Sequence, residues 1–167
     1  MNRFASTKFP ISAVAVYFVL VSILLGCGGD RRESFYPSLA DANKDGAITR
    51  GWIPEFLPSS SRDIHELHEI SPSTEWCAFQ FAPADSGTLR KNVQSAEALP
   101  QAVRDVPSAN VSWWPAMLTG VVDVQQLQKA GFEVYTVLRP ETSVSKEVML
   151  FAVDWANGRA FLYRTRE

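Results

Sequence analysis

The chain has 167 residues, which is enough for one ordinary domain and too few for two. Its 46% hydrophobic and 20% charged residues are typical of a globular protein and exclude a disordered one. With 16 basic and 18 acidic residues and no polybasic run, the sequence argues against nucleic-acid binding, and two cysteines are too few for a disulfide-rich scaffold.

The first residues of the chain have the pattern of an export signal. Arg3 and Lys8 form a short positive segment, and an apolar stretch follows over 9–25 and leads to Cys27. An uncleaved membrane-spanning helix is the alternative, because the apolar stretch reaches the lower limit of spanning length.

The closing Leu24-Leu25-Gly26-Cys27 resembles the lipobox of bacterial lipoproteins. The resemblance implies a signal peptide over 1–26, cleavage between Gly26 and Cys27, and acylation of the Cys27 sulfur by chains such as palmitate. Each buried methylene of such chains contributes about 0.8 kcal/mol, so more than one chain gives a stable membrane anchor.

Loss of the signal peptide leaves 14 basic residues against 18 acidic ones, a formal charge of −4. Adhesion of the domain itself to anionic lipid is therefore not expected. Gly28 stands where an acidic residue is the usual retention signal in lipoproteins, and the resemblance thus favours the outer membrane, facing the periplasm. We expect a tether over 27–36 and a single domain over 37–167.

Local patterns predict the elements of this domain in chain order. Helix formers favour a helix over 38–48, and Ser60 or Ser61 can cap a second helix over 61–69. A strand is predicted at 75–82, a short helix near 89–93, a helix over 124–130 after Asp123, and a strand over 132–138.

The C-terminal region predicts a β-hairpin. Two β-rich runs, 148–155 and 159–165, flank Asn157-Gly158, which favours a two-residue turn. That turn would place Val153 opposite Leu162. The predicted fold is α+β, with a small antiparallel sheet of about four strands and two or three helices packed on one face.

Two polar clusters are candidate metal sites. His65 and His68 lie at i and i+3 of the predicted second helix, which makes them weak candidate metal ligands. Asp41, Asn43 and Asp45 match the first half of a calcium loop, but the position of the closing carboxylate is a tryptophan. The sequence therefore predicts neither a metal nor another cofactor.

Three further side chains bear on function. Cys77 lies in a strand-like run beside an acidic residue, which predicts a buried, unreactive thiol. Trp113 and Trp114 are either core residues or an interface anchor, and the sequence alone leaves both open.

The string Arg50-Gly51-Trp52-Ile53-Pro54, with the polar run over 63–68, resembles small bacterial lipoproteins of the YbbD-type head-domain family. The resemblance covers roughly 36–82. It implies no catalytic residues, and it gives Arg50, Gly51, Trp52 and Pro54 a structural role. We expect Trp52 to pack at the corner between two helices and Arg50 to bond backbone carbonyls there.

These observations predict a membrane-anchored envelope lipoprotein with a non-enzymatic binding or structural domain. The membrane is the expected partner, through lipid on Cys27, and the sequence does not identify a protein partner. One alternative is a metal-binding protein or metal-dependent enzyme that uses His65 and His68. Another is an immunity-like protein that guards against a secreted toxin.

Overall fold

The computed structural model describes residues 30–71, 73–95, 99, 101–137 and 147–166. The predicted signal peptide, its cleavage site and Cys27 lie outside these residues. Among the residues that are described, no helix is both long and apolar enough to cross a bilayer.

The centre of the fold is an antiparallel sheet of seven strands in the order β1-β2-β3-β9-β8-β7-β4, accompanied by a two-stranded ribbon of β5 and β6. The strands are β1 (Arg31–Ser38), β2 (Arg62–Glu69), β3 (Thr74–Gln80), β4 (Val93–Ser95), β5 (Asp105–Val106), β6 (Gly120–Val121), β7 (Glu133–Val137), β8 (Glu147–Asp154) and β9 (Arg159–Arg166).

Four short α-helices join the described strands. They are α1 (Leu39–Asp45), α2 (Gly87–Asn92), α3 (Gln101–Arg104) and α4 (Val124–Lys129). The hydroxyl of Ser38 caps α1, and the carboxylate of Asp123 caps α4 by accepting from the Gln125 and Gln126 amides. These caps confirm the helices predicted near 38–48 and 124–130.

The sheet has a hydrophobic core on each face. Residues directly opposite in neighbouring strands share a face, so Cys77, Leu162 and Phe151 form one row of the first core. Helices α1 and α2 and the 46–58 loop cover that face. The second core contains Trp76 and Tyr163, and the described residues between 99 and 132 cover it, including α3 and α4.

The predicted class, α+β with an antiparallel sheet, is confirmed in its coarse form. The prediction of about four strands was too low. The placement of the helices on one face was also wrong, because apolar residues of α1 and α2 enter one core while those of α3 and α4 enter the other.

The predicted helix over 61–69 is wrong, because this segment is strand β2. Ile64 and Leu67 are three residues apart, which suits one face of a helix. In the strand they lie on opposite faces, and each is fully buried because both faces of the sheet are covered. The polar residues between them are accommodated by partners from other strands.

The C-terminal hairpin is confirmed, but its register differs from the prediction. Val153 lies opposite Ala160, not Leu162, so each residue is on the expected face while the pairing is shifted. The Asp154 carboxylate accepts from the Asn157 backbone N–H (3.0 Å) and from its side-chain amide (2.8 Å). These bonds close a longer loop over 155–158.

Candidate functional site

A row of polar residues crosses one end of the first core. Arg32, His68, Glu75 and Arg164 are successive cross-strand neighbours on β1, β2, β3 and β9. They share the face that the 46–58 loop covers. The antiparallel register therefore brings residues from distant parts of the chain into one cluster.

Arg164 is the centre of a buried ion-pair network. Its guanidinium contacts the Glu75 carboxylate and lies 3.0 Å from Glu147 Oε1, and it also donates to the backbone carbonyl of Gly51. Burial lowers the pKa of Arg164 to about 10, so the group remains charged at neutral pH. Arg166 adds a second guanidinium, 3.4 Å from the same Glu147 oxygen.

The loop that covers the cluster begins at Gly46, whose φ of 76° ends α1. The Arg50 guanidinium donates to the Asp45 carbonyl (2.6 Å) and carboxylate (2.5 Å), and it lies 3.9 Å over the Trp52 ring. Hydrogen bonds from the Tyr36 hydroxyl and from Arg50 lower the pKa of Asp45. The predicted bond from Arg50 to a backbone carbonyl is confirmed. The predicted position of Trp52 at a corner between two helices is wrong, because the element after this loop is strand β2.

Trp52 covers a buried His–Glu pair. Its ring stacks on the His68 imidazole with 4.3 Å between centroids, and His68 Nδ1 lies 2.6 Å from Glu66 Oε1. Burial raises the pKa of Glu66 to about 8, against smaller lowering effects of Ser34 and Arg164, and burial lowers the pKa of His68. At neutral pH the Glu66 carboxyl is therefore protonated and donates to the neutral imidazole.

These residues surround a cleft of about 140 Å³ at the end of the sheet. At about 30 Å³ per water, it has space for four or five waters or one small polar group. Its lining combines Arg50, Trp52, His68, Glu69, Ile70, Ser73, Thr74, Glu75, Arg164 and Arg166. The side chains of Arg50 and Arg166 are 39% and 43% exposed. The cleft therefore presents cations and an aromatic ring at its rim, above buried carboxylates.

The two histidines predicted as weak metal ligands do not converge. Residues at i and i+3 of a strand lie on opposite faces, and His65 accordingly contacts Trp113 (5.3 Å between ring centroids) while His68 contacts Trp52. The described residues contain no group of three or more His, Cys, Asp and Glu side chains placed to hold a metal.

The half calcium loop is used for local structure. Asp41 bonds the hydroxyl of Ser38 at the start of α1 (2.6 Å), and Asp45 bonds Tyr36 (2.9 Å) and Arg50 at its end. The two carboxylates thus serve the helix and its exit loop.

Cys77 and the tryptophan pair have distinct environments. Cys77 is fully buried, which confirms the predicted buried thiol, and burial raises its pKa. Trp114 is buried and donates to the Leu118 carbonyl (3.1 Å). Trp113 is half-buried and donates to Glu33 (2.8 Å). One ring therefore belongs to the core, and the other belongs to the surface beside β1.

Sequence reasoning missed the charged half of the cleft. Glu66, Glu75 and Arg164 are buried, and the Glu147 side chain is nearly so, yet each stands beside other polar residues or at the end of a β-rich run, where the pattern alone predicts exposure. No local signal indicates the ion-pair network, because its members meet only through strand pairing between distant parts of the chain.

The protein is an antiparallel sheet, and the loop that contains Arg50, Gly51 and Trp52 covers the polar end of its first core. Residues 30–80 match the family model of the YbbD head domain, which confirms the resemblance predicted from that loop. The match includes Arg50, Trp52, Glu66, His68 and Glu75, and it stops before β8 and β9. No curated protein matches the chain. No solved structure matches it either.

Proposed function

We propose that the protein is a lipid-anchored bacterial envelope lipoprotein whose folded part is a non-enzymatic binding module. The observation that carries the anchor is the Leu24-Leu25-Gly26-Cys27 sequence after a positive segment and an apolar stretch. Gly28 after the cysteine favours the outer membrane, with the domain facing the periplasm.

The cleft beneath Trp52 supports a binding role. Its ionic groups are held by one another, Arg164 by two carboxylates and Arg50 by Asp45 and the Trp52 ring. Groups fixed in this way present donors in a preorganised geometry, which is what recognition of a small polar group needs. Metal binding by His65 and His68 is not favoured, because they lie on opposite faces of the sheet.

Metabolic labelling with palmitate tests the anchor. In a bacterium that produces the full chain, we expect label on the wild type, loss of label in Cys27→Ala, and retention of label in the matched variant Cys77→Ala. Cys77 is the appropriate control because it is the other cysteine of the chain and is fully buried. A wild-type protein without label would refute the proposal.

A further inference from the structure

We propose that the end of the sheet nearest Cys27 rests on the bilayer, and that the cleft beneath Trp52 takes a phospholipid headgroup with both a phosphate and a primary ammonium. The inference deepens the proposed function and rests on the lipid anchor.

The connection between the anchor and the sheet is short. Strand β1 begins at Arg31, and an extended chain spans at most about 3.6 Å per residue, so the Cα atoms of Cys27 and Arg31 are at most about 14 Å apart. Beside this start lies the β2–β3 turn, since the Ile70 amide donates to the Asp30 carbonyl (2.8 Å). Acyl chains on Cys27 would therefore hold this end of the sheet at the membrane surface.

The side chains at this end suit an interface between water and lipid. Ile70, at the tip of the turn, is 69% exposed and is one of the exposed large apolar residues among those described. Arg31 and Arg32 are the first two residues of β1, and they pair with Glu69 and His68, which line the cleft. An exposed aliphatic residue beside several arginines is a pattern that binds headgroups and the acyl boundary.

The charge pattern of the cleft fits a zwitterion. Arg50 and Arg166 stand at the rim, where guanidiniums can bond phosphate oxygens in pairs. Glu69 lies on the rim, and Glu75 beneath it has one oxygen without a hydrogen-bond partner among the described residues. A ligand with an N–H donor next to its phosphate would satisfy both signs.

A purely anionic lipid is the weaker match. The rim arginines Arg50 and Arg166 face the carboxylates of Asp45 and Glu147, and these carboxylates and Glu69 on the rim repel an added negative charge. The mature chain also has an excess of acidic residues. Recognition would therefore come from the local arrangement of both charges and not from a general attraction to anionic membranes.

A fluorescent reporter on the full lipidated chain tests the orientation. Ile70→Cys and Ala156→Cys each offer one accessible thiol, because Cys77 is fully buried and the Cys27 sulfur is acylated. Ala156 lies in the loop between β8 and β9, about 24 Å from the Ile70 end at about 3.4 Å per residue. In vesicles of phosphatidylethanolamine and phosphatidylcholine, we expect a quencher at headgroup depth to reach the Ile70 label and not the Ala156 label.

A pair of arginine variants tests the headgroup. Arg166 and Arg159 lie at opposite ends of β9, are 43% and 49% exposed, and each pairs with a buried carboxylate. In the Ile70-labelled protein, we expect Arg166→Gln to lower the ratio of docked to undocked protein about tenfold, and Arg159→Gln to leave it unchanged. On vesicles of phosphatidylcholine alone, or of phosphatidylcholine with phosphatidylglycerol, the Ile70-labelled protein with Arg166 intact should show the same low ratio of docked to undocked protein.

The outcomes separate the two proposals. Protein that floats with the vesicles but gives equal quenching at both labels is anchored and not docked, which refutes this inference and leaves the proposed function intact. Protein that does not float refutes both. Equal docking on all three lipid compositions, or an equal effect of Arg166→Gln and Arg159→Gln, would refute headgroup recognition by the cleft. Near-ultraviolet circular dichroism of each variant confirms that the fold is retained.

Discussion

Glu66→Gln should stabilise the protein and remove part of its pH dependence. The Glu66 side chain is fully buried, and its carboxyl must be protonated in the folded protein at neutral pH because burial raises its pKa to about 8. In the unfolded chain the same group is ionised above its ordinary pKa of 4.5. Glutamine has the same shape and a side-chain N–H that can donate to His68 Nδ1, and it carries no ionisable proton.

The magnitude follows from linkage between protonation and folding. The folded state binds a proton that the unfolded state has released, so stability falls as the pH rises between the unfolded and folded pKa values. His68 has the opposite effect below its ordinary pKa of 6.5, because its own pKa is lowered by burial. Between pH 6.5 and 8 the Glu66 effect lowers the unfolding free energy by about 1.6 kcal/mol. The rest of the His68 titration in the unfolded chain offsets up to about 0.4 kcal/mol of this, so we expect a net loss of about 1 kcal/mol.

Urea unfolding at pH 6.5, 7 and 8 measures this effect. We expect the wild type to lose stability across this range, Glu66→Gln to be nearly flat, and the variant to be more stable at each pH. Glu55→Gln is the matched control, because Glu55 is exposed and the chemical change is identical. If the wild type and Glu66→Gln lost stability in parallel, the assignment of a protonated Glu66 would be refuted.

Two further predictions concern packing and charge. Gly158→Ala should lower the unfolding free energy by several kcal/mol, because a Cβ at φ 59° would lie 2.0 Å from the Phe81 carbonyl oxygen. Gly120→Ala is the control, because its Cβ would have open space at φ 73°, and it should lower the unfolding free energy by only about 1 kcal/mol through backbone strain. Thermal unfolding of the two variants compares them, and equal costs would contradict the close approach. Arg164→Met should destabilise by about 3–5 kcal/mol, because it leaves the buried Glu75 carboxylate without its cation and leaves Glu147 with only the more distant Arg166. Arg62→Met removes an exposed pair and should cost less than about 1 kcal/mol. Denaturant unfolding measures both, and a small loss for Arg164→Met would argue against a network that depends on its charge.

The elements that the sequence predicted correctly are those set by local chemistry. The helix after Asp123 depends on a side chain that bonds amides two and three residues ahead, and the helix after Ser38 depends on a similar cap. The turn at Gly158 requires a left-handed conformation that favours glycine. Such interactions are visible within a few residues of sequence.

The errors arise where distant residues determine the outcome. The assignment of β2 depended on Ile64 and Leu67, whose spacing suits a helix, and only the presence of cores on both faces makes the strand favourable. The hairpin register depended on the carboxylate of Asp154, whose bonds to Asn157 replace the shorter turn. Each error concerns a choice between two locally acceptable structures.

The candidate site was predicted only in its aromatic half. Arg50 and Trp52 were identified from the family resemblance, and His68 was noted for a metal role that the strand geometry does not favour. Glu75 and Arg164 are far apart in sequence, and nothing local to either residue indicates the other. Their pairing exists because β3 and β9 are neighbours in the sheet, which a single sequence does not reveal.

The position of the polar cluster is itself an argument for function. Buried ion pairs and a protonated carboxyl are poor sources of stability, and well-packed apolar residues in their place are often neutral or stabilising. The neighbouring row of the same face, with Leu162 and Phe151, shows that this sheet accommodates an apolar core. The polar groups occur together at the end of the sheet where β1 begins, beneath the Trp52 loop, and that end is the part of the domain closest to the predicted anchor. Asp154 is a buried carboxylate at the other end, but most of the buried charges lie at this end. The stability cost of this cluster is explained if this end of the sheet binds a ligand, which the vesicle experiments test.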